Sequence, residues 1–443
     1  MSRRDLTTYL IPFVYFIAGA TTLAGVATTF YYKEDLGLTI PQAQILASIS
    51  IIPWSIKPLY GFFSDRVPVF TLRRKPYLFL AGIFGAAGYF SLATWVQSFT
   101  GAMVATFISS MGFALADVIV DAIVAEQSRT QVIAGRLQSI CRASLITGAL
   151  VVSYLSGILV EAIGARNVFF ATGTLPLLTS LFAFFLVEEK AEEGTSFTIR
   201  ETWRKFKEGL SVPLLWSALF LFIWRSTPTS GGAFNYFLID ELKFSPEFFG
   251  RLALISHLSG IAGVLFFRKV LIAMPLRTLF FWIVVASVVL SLPSLGLVYG
   301  WYHFFGVSPQ FFAMADTLVT GPLSEIGFLP LLVLVARICP KGIEATMFAV
   351  LASLMNIGLA VSDMGGAYLV SLFDIRQALD PLGANYAHLD AVLWIAILSS
   401  FLPLPLLRFL PETRVGEELE VNASGSAEAL PITPLEPEKR EIA

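Results

Sequence analysis

Apolar stretches recur along the chain, and each matches the thickness of a bilayer's hydrocarbon core. A membrane-spanning helix needs about 20 mostly apolar residues, and only helices or closed barrels satisfy the backbone hydrogen bonds in lipid. The stretches cover residues 8–31, 42–63, 77–97, 100–124, 134–160, 167–187, 212–238, 247–267, 276–299, 309–336, 344–372 and 390–409. This pattern predicts an all-α integral membrane protein with twelve transmembrane helices.

Composition supports a membrane protein and excludes several other classes. Hydrophobic residues make up 56% of the 443 residues and charged residues 14%, and the mean hydropathy is +0.74, which is atypical of a soluble domain. The 30 basic and 32 acidic residues nearly balance, so no nucleic-acid partner is expected. Cys141 and Cys339 have no ligand-like neighbours and are interpreted as core residues. Phosphate-loop and nucleophile-elbow motifs are missing, so we expect neither a cofactor nor an enzyme.

Charge divides the chain into two halves. Residues 188–211 are the longest charged segment between two spans, and they separate a predicted six-helix bundle at 1–187 from a second at 212–412. Residues 413–443 are rich in Glu, Pro, Ser and Ala, a composition that cannot bury a core, and they are predicted to be a disordered tail.

Basic residues are distributed unevenly between the two sides of the predicted helix bundle. With the loops assigned to alternate sides, one side holds the linker, the cluster at 73–75 and nearly all other Lys and Arg residues. The other side holds only Lys33, Arg166, Lys243 and Arg376. Because basic loops remain in the cytoplasm, both termini are predicted to be cytoplasmic, in a multi-pass protein of the cell inner (plasma) membrane.

The loop after the second span, GFFSDRVPVFTLRRKPY, carries a signature of glycine, acid and base. It resembles the loop signature of the major facilitator superfamily, Gly-x-x-x-Asp-Arg followed by a basic cluster. The matching positions are Gly61, Asp65, Arg66, Arg73, Arg74 and Lys75. The resemblance implies two pseudo-symmetric six-helix bundles and a conformational gating role for this loop. A solvated turn with ordinary cytoplasmic charge is the alternative interpretation.

Four stretches, one of which includes this loop, indicate a particular family within the superfamily. IIPWSIKPLYGFFSDRVPVFTLRRKPYL, GFALADVIVDAIVAE, GRLQSICRASLITGALVVSYLSG and EATMFAVLASLMNIG are together similar to the folate-biopterin transporter family. The similarity is clearest over residues 51–160 and recurs more weakly at 340–370. It implies a secondary transporter that imports folates or related pteridines by alternating access, coupled to protons, and that functions as a monomer.

Two other functions fit the same pattern. A major facilitator carrier of another small organic solute has the same architecture, because fold alone does not fix the substrate. A transporter-like assembly factor that binds a cofactor or pigment without moving it is the second alternative. Acids within the spans speak against the assembly factor, since such a protein needs no group that titrates.

Charged residues inside the spans are the candidate functional residues of the first half. An ionised side chain at the centre of a lipid-facing helix costs about 2.5 to 3.5 kcal/mol, so Asp117 and Asp121 should face the bundle interior or water. At a rise of about 1.5 Å per residue they lie roughly 13 Å and 7 Å from the cytoplasmic end. Lys57 and Arg142 reach comparable depths, about 10 Å and 12 Å. The sequence therefore predicts one charge cluster built from the second, fourth and fifth spans.

This cluster has two interpretations. It is either a network of ion pairs that holds helices together, or a site in which at least one acid titrates during transport or contacts substrate. Asp117 is the first choice for the titrating acid, because it is the deeper of the two.

Arg225 and Glu325 are the candidate functional residues of the second half. Arg225 lies near mid-membrane in a span loosened by Pro228 and by glycines. It either binds an anionic substrate group or pairs with an acid such as Glu325 in the tenth span. Folates end in a glutamate carboxylate, which Arg binds in a bidentate manner. If the family resemblance holds, Arg142 or Arg225 binds that tail while an Asp accepts hydrogen bonds from the pterin edge.

Overall fold

The described part of the chain is helical almost throughout. The computed structural model describes residues 3–127, 131–186, 188, 204, 207, 210–271, 274–339 and 344–411. Within them the only β-structure consists of two isolated bridges, so the predicted all-α class is confirmed. The predicted tail and most of the predicted linker lie outside the described residues, and the boundaries of both remain predictions.

Twelve helical units follow one another in these residues, numbered α1 to α12. They are α1 (Arg3–Ala20, Thr21–Leu23, Ala24–Phe30 and Tyr31–Asp35), α2 (Ile40–Ser55 and Lys57–Arg66), α3 (Lys75–Thr94), α4 (Phe99–Gln127), α5 (Gln131–Ile163), α6 (Ala165–Ala183), α7 (Val212–Ser226 and Gly231–Asp240), α8 (Pro246–Lys269), α9 (Leu276–Leu290 and Leu292–Val298), α10 (Pro309–Ile338), α11 (Glu344–Leu372) and α12 (Leu389–Ser399 and Leu404–Phe409). A short helix, Trp301–Phe304, precedes α10.

Ten helices in the described residues are long and apolar enough to cross a membrane. The other two predicted spans correspond to α6 and α7. α7 is interrupted between Ser226 and Gly231, so neither of its segments reaches spanning length by itself. The described residues therefore contain the twelve helices that the sequence predicts, and the chain is a multi-pass membrane protein.

Proline explains the interruptions of α2 and α7. Proline has no backbone N–H and clashes with the preceding turn of a helix. In α2 the first segment ends at Ser55, and the second begins at Lys57 with Pro58 in its first turn. In α7 the break contains Pro228, and Ser362 of α11 donates a hydrogen bond to the freed carbonyl of Thr227. Both breaks therefore lie beside the charged residues of the spans.

The two halves pack in the same pattern. In the first half α1 packs on α5, and α4 packs on both α2 and α3. In the second half α7 packs on α11, and α10 packs on both α8 and α9. The halves meet along two helix pairs, α2 with α11 and α5 with α8. In the internal repeat α2 corresponds to α8 and α5 corresponds to α11. The two pairs between the halves are therefore equivalent to each other, as expected of such a repeat.

Small residues allow the halves to approach closely between α5 and α8. A Cβ added at Gly157 would lie 2.2 Å from the carbonyl oxygen of Pro246, and one at Gly250 would lie 2.9 Å from that of Tyr154. Helices in lipid associate by close packing rather than by the hydrophobic effect, so small residues at such crossings are favourable. This contact lies at the end of the molecule farther from the linker, which we call the distal end; the other end is the linker end.

Candidate functional site

Lys57 and Asp117 form an ion pair between α2 and α4. Lys57 Nζ lies 2.5 Å from Asp117 Oδ2, and each side chain is 22% exposed. The ammonium group also lies 4.5 Å from the ring centroid of Trp54, a cation–π contact. Two favourable interactions therefore hold this cation in the middle of the bundle.

Hydrogen bonds fix the position of Trp54 between the halves. Its indole Nε1 donates to Ser110 Oγ of α4 at 2.9 Å. Its backbone carbonyl accepts from the amide of Asn356 in α11 at 3.0 Å. Trp54 is therefore anchored to one helix of each half, and its ring is held beside Lys57.

Asp121 has a different partner from Asp117, although the two acids are one helical turn apart. Tyr15 of α1 donates its phenolic hydrogen to Asp121 Oδ1 at 2.7 Å. Tyr15 is buried and Asp121 is exposed. The two acids therefore connect α4 to two different helices.

Arg142 lies against the other half of the molecule. The sequence grouped it with the acids of α4, but Arg142 Nη2 lies 3.5 Å from Glu325 Oε2 of α10. Depth along α5 was predictable from residue spacing, whereas the rotation of the side chain toward α10 depends on how the halves meet. The Arg142 side chain is 48% exposed and that of Glu325 is 27% exposed, so the pair lies in the gap between the halves.

Arg225 does not pair with Glu325. Its guanidinium carbon lies 5.8 Å from the ring centroid of Phe328, and the carboxylate that acts on it electrostatically is Asp363 of α11. The buried Arg225 Nε has no hydrogen-bond partner among the described residues. An unused guanidinium N–H is therefore available near the middle of the second half.

Three adjacent cavities lie along α1. The Asp117 cavity, about 450 Å³, is lined by Asp117 together with Trp54, Tyr89 and Phe113. The Asp363 cavity, about 330 Å³, lies between the halves and shares Thr28 with the first. The His257 cavity, about 430 Å³, shares Asn235 with the second and Thr22 with the first. These volumes are typical of small-molecule sites. The three cavities are neighbours with common lining residues, and we call them together the central chamber.

The loop after α2 is held by a compact set of charge contacts. Arg74 Nη2 lies 2.6 Å from Asp65 Oδ1, and Arg74 Nη1 donates to Ser64 Oγ at 2.9 Å. The carboxylate of Glu188 accepts hydrogen bonds from the backbone N–H groups of Arg73, Arg74 and Lys75. An acid at a helix N-terminus satisfies otherwise unpaired donors and the helix dipole. Glu188 therefore fixes the start of α3.

Arg66 and Gly61, also part of the loop signature, have different surroundings. The guanidinium of Arg66 lies 4.5 Å from the Phe62 ring centroid. A Cβ added at Gly61 would meet only Val118, at the ordinary distance of 3.7 Å. The loop after the eighth span, GVLFFRKVLIAMPLR, is a weak second copy of the signature, with Gly263 at the position of Gly61. Gly263 is closely packed, because an added Cβ would lie 2.5 Å from the Pro322 carbonyl oxygen. The two matching glycines therefore differ, because Gly263 is closely packed and Gly61 has space around it.

A buried ion pair joins the halves at the distal end. Lys33 Nζ of α1 lies 2.6 Å from Asp240 Oδ1 of α7, and the side chains are only 4% and 5% exposed. Asp240 Oδ2 also accepts from the Tyr386 hydroxyl at 2.6 Å and from the backbone N–H of Ala378 at 2.8 Å. Gln377 adds a hydrogen bond to the Leu38 carbonyl. We call Lys33, Asp240 and Tyr386 the distal latch.

Sequence reasoning did not identify the distal latch as a site. The available signal was that Lys33 is one of four basic residues on its side of the predicted membrane. Asp240 and Tyr386 lie far from Lys33 in the chain, so nothing in spacing brings them together. Among the described residues no group of three or more His, Cys, Asp or Glu side chains is placed to hold a metal ion.

Two solved structures with a similar arrangement of helices are those of transporters. The crystal structure of a D-xylose–proton symporter superposes with a TM-score of 0.69 at 14% sequence identity, covering 94% of this chain and 99% of the other. A nucleoside transporter superposes with a TM-score of 0.70 at 12% identity, covering 93% and 100%. At these identities the likeness defines the fold alone. The two packed bundles with a central chamber have the fold of the major facilitator transporters.

The particular family follows from sequence comparison. The chain belongs to the BT1 family, whose profile matches residues 18–429. The folate-biopterin transporter of Synechocystis sp. is 34% identical over 434 residues, covering 96% of this chain and 86% of the relative. Folate transporter 2 of Plasmodium falciparum is 28% identical over 374 residues, covering 84% and 82%. The expected family is confirmed, and it is a family of transporters rather than enzymes.

Proposed function

We propose that this protein imports folates or related pteridines by alternating access, coupled to protons. Its relatives in the BT1 family are named as folate or folate-biopterin transporters. The observation that carries the proposal is the Asp117 cavity, in which a carboxylate paired with Lys57 lies among four aromatic side chains, with Tyr15 completing the aromatic wall. A flat heterocycle with N–H donors along one edge matches that wall.

The pterin ring is assigned to the Asp117 cavity on chemical grounds. A carboxylate accepts two hydrogen bonds from an amino group and an adjacent ring N–H, and aromatic rings favour stacked contacts with a planar heterocycle. Trp54 is held by hydrogen bonds to Ser110 and Asn356, so its ring is positioned before the substrate arrives. Preorganisation of this kind lowers the entropic cost of binding.

The glutamate tail of folates is assigned to Arg225. The buried Nε of Arg225 lacks a partner among the described residues, whereas Arg142 is engaged by Glu325. Asp363, which acts electrostatically on Arg225, also lines the Asp363 cavity, so this part of the chamber is close to the guanidinium. An elongated substrate therefore extends from the Asp117 cavity toward the second half. Arg142 and Glu325 then serve as an ion pair that parts when the halves separate at the linker end.

Uptake by the purified protein in proteoliposomes tests the proposed substrate. Labelled folic acid, 5-formyltetrahydrofolate and biopterin are supplied with and without an inward proton gradient. Wild type is expected to accumulate at least one pteridine under the gradient, and Asp117→Asn is expected to lose binding of all three because they share the pterin ring. Absence of uptake by a correctly folded protein contradicts the proposed substrate.

A comparison of two substrates tests the role of Arg225. Biopterin has the pterin ring but no glutamate tail, so Arg225→Ala should weaken the apparent affinity for folic acid and leave that for biopterin unchanged. Loss of a charged hydrogen bond costs about 1.5 to 3 kcal/mol, which corresponds to a rise in KM of roughly tenfold or more.

Arg142→Ala is the matched control for Arg225. Equal losses of folic acid and biopterin uptake in Arg225→Ala would show a structural role for Arg225. If Arg142→Ala alone discriminates between the two substrates, the glutamate tail binds Arg142 instead.

The proposal includes a location and an orientation. The linker end is assigned to the cytoplasm with both termini, because nearly all basic loop residues belong to that side. The membrane is the cell inner (plasma) membrane. One chain supplies both walls of the chamber, so a monomer is sufficient for transport. The closed distal end then makes this an inward-facing conformation.

A further inference from the structure

His257 occupies a position between the halves that neither the pterin nor the glutamate assignment uses. It lies in the middle of α8, on the wall of the His257 cavity. Its Nδ1 lies 3.1 Å from Ser153 Oγ of α5 and 2.8 Å from the Ala253 carbonyl oxygen of its own helix. The imidazole therefore contacts the opposite half and an internal cavity together.

The hydrogen bonds of His257 assign its tautomer. A carbonyl oxygen only accepts hydrogen bonds, so the 2.8 Å contact to Ala253 requires a hydrogen on Nδ1. Ser153 Oγ uses its own hydrogen for the Ala149 carbonyl, which is consistent with its accepting from Nδ1. In the neutral ring Nε2 then carries a lone pair. Nε2 has no hydrogen-bond partner among the described residues, so it is the nitrogen that gains a proton.

Asp316 of α10 lines the same cavity, and only one of its two carboxylate oxygens accepts a hydrogen bond from a described residue. Ser294 donates to its Oδ2 at 3.0 Å, but its buried Oδ1 has no hydrogen-bond partner in the described part of the chain. Asp316 also forms no ion pair with any described cation. By contrast, Asp65, Asp117 and Asp240 each lie within 2.6 Å of a basic side chain.

Several other charged groups on and beside α8 have partners. On α10, Glu325 pairs with Arg142 of α5. Toward the distal end, Glu247 accepts hydrogen bonds from Tyr154 of α5 and from Arg251, and its backbone N–H donates to Glu161.

The segment of α1 that packs on α8, Ala24–Phe30, contains no ionisable side chain. Among the described lining residues of the His257 cavity, only His257 and Asp316 have ionisable side chains.

We infer that His257 and Asp316 form the proton-binding site of the transport cycle. The proton binds the Nε2 lone pair of His257, Asp316 supplies the balancing negative charge, and the proton leaves from Nε2 on the other side of the membrane. The Ser153 contact links the imidazole to the α5–α8 interface, so protonation acts where the halves meet. This inference rests on the proposed proton-coupled import, and it separates the proton site from the substrate-binding Asp117.

Transport in proteoliposomes gives the first test. In His257→Gln and Asp316→Asn, a proton gradient should no longer drive folic acid accumulation, while exchange of internal for external folic acid continues, because exchange requires no net proton movement. His303→Gln and Asp380→Asn are the matched controls and should accumulate substrate as wild type does. Loss of both accumulation and exchange in the two site variants, or retention of both, overturns the inference.

A chemical test does not depend on transport. Diethyl pyrocarbonate modifies the lone-pair nitrogen of neutral imidazole, so mass spectrometry should find His257 modified at neutral pH and unmodified after acidification. Asp316→Asn should change the pH at which modification stops. Modification that is absent at every pH, or unaffected by Asp316→Asn, refutes the site even if no pteridine is transported. If wild type takes up folic acid equally with and without the proton gradient, proton coupling is refuted and the substrate assignment still holds.

Discussion

At the scale of single residues, the ion pair of Lys57 and Asp117 has an intermediate environment. Each side chain is 22% exposed, so the pair is neither fully buried nor solvated. Removal of one member of a buried pair costs several kcal/mol because the other charge is left unpaired, whereas exposed pairs contribute little. An energy between these limits is expected here, of about 1 to 3 kcal/mol.

A double-mutant cycle measures this coupling. Lys57→Met and Asp117→Asn should each lower the melting temperature of the purified protein in detergent, and the double variant should recover part of the loss, since it leaves no lone charge. Uptake should not recover, because the pterin-binding carboxylate is still missing. Additive losses of stability in the double variant would contradict a direct interaction.

At the scale of helices, the interruptions and the close crossings position the site. The break at Pro58 places Lys57 at the start of a new segment within the membrane. The break at Pro228 leaves carbonyl groups that Ser362 and Gln44 satisfy from α11 and α2. Irregular backbone at membrane depth persists only where protein or water supplies such partners. Gln44 therefore both stabilises the break in α7 and lines the Asp363 cavity.

The distal latch connects α1 to α7, and its phenol does not titrate near neutral pH. Burial, together with the hydrogen bond to Asp240, raises the pKa of Tyr386. A phenol with a raised pKa contributes stability that is complete below the ordinary range of about 10 and is lost only at higher pH. Tyr386 therefore remains protonated and able to donate to Asp240 throughout the physiological range.

Lys33→Met should open the distal end. The variant leaves Asp240 buried without its cation, at a cost of about 3 to 5 kcal/mol, so states that expose Asp240 to water become favoured. A cysteine at Asn235 in the chamber, with Cys141 and Cys339 replaced, should then react faster with an impermeant maleimide added from the distal side.

Lys243→Met is the control for this experiment. Its ammonium donates to the Asp240 carbonyl within the same half and does not bridge the halves. Equal labelling rates in Lys33→Met and Lys243→Met would exclude a latch function for Lys33.

At the scale of the whole molecule, orientation in the membrane is directly testable. In a variant without native cysteines, Leu382→Cys lies in an exposed distal loop and Thr71→Cys in the exposed loop after α2. In intact cells an impermeant maleimide should label only Leu382→Cys, and Thr71→Cys should react after the membrane is permeabilised. The reverse pattern would place the linker end outside the cell.

The sequence by itself determined the class of fold, the helices and the family. Apolar stretches of spanning length are a local property of the chain, so α1 to α12 follow from counting residues. The loop signature around Asp65 and the intramembrane charges are also local patterns, and they led to Lys57, Asp117 and Arg225 as candidates. None of this required knowledge of which helix lies beside which.

Only the tertiary structure decided how those charges pair. Residue spacing gives the depth of a side chain, but the helix toward which it points depends on rotation and packing across the halves. Arg142 therefore meets Glu325 rather than the acids of α4, and Lys33 meets Asp240 across more than 200 residues of chain. The central chamber has the same origin, because its walls come from both halves and form only when the halves pack together.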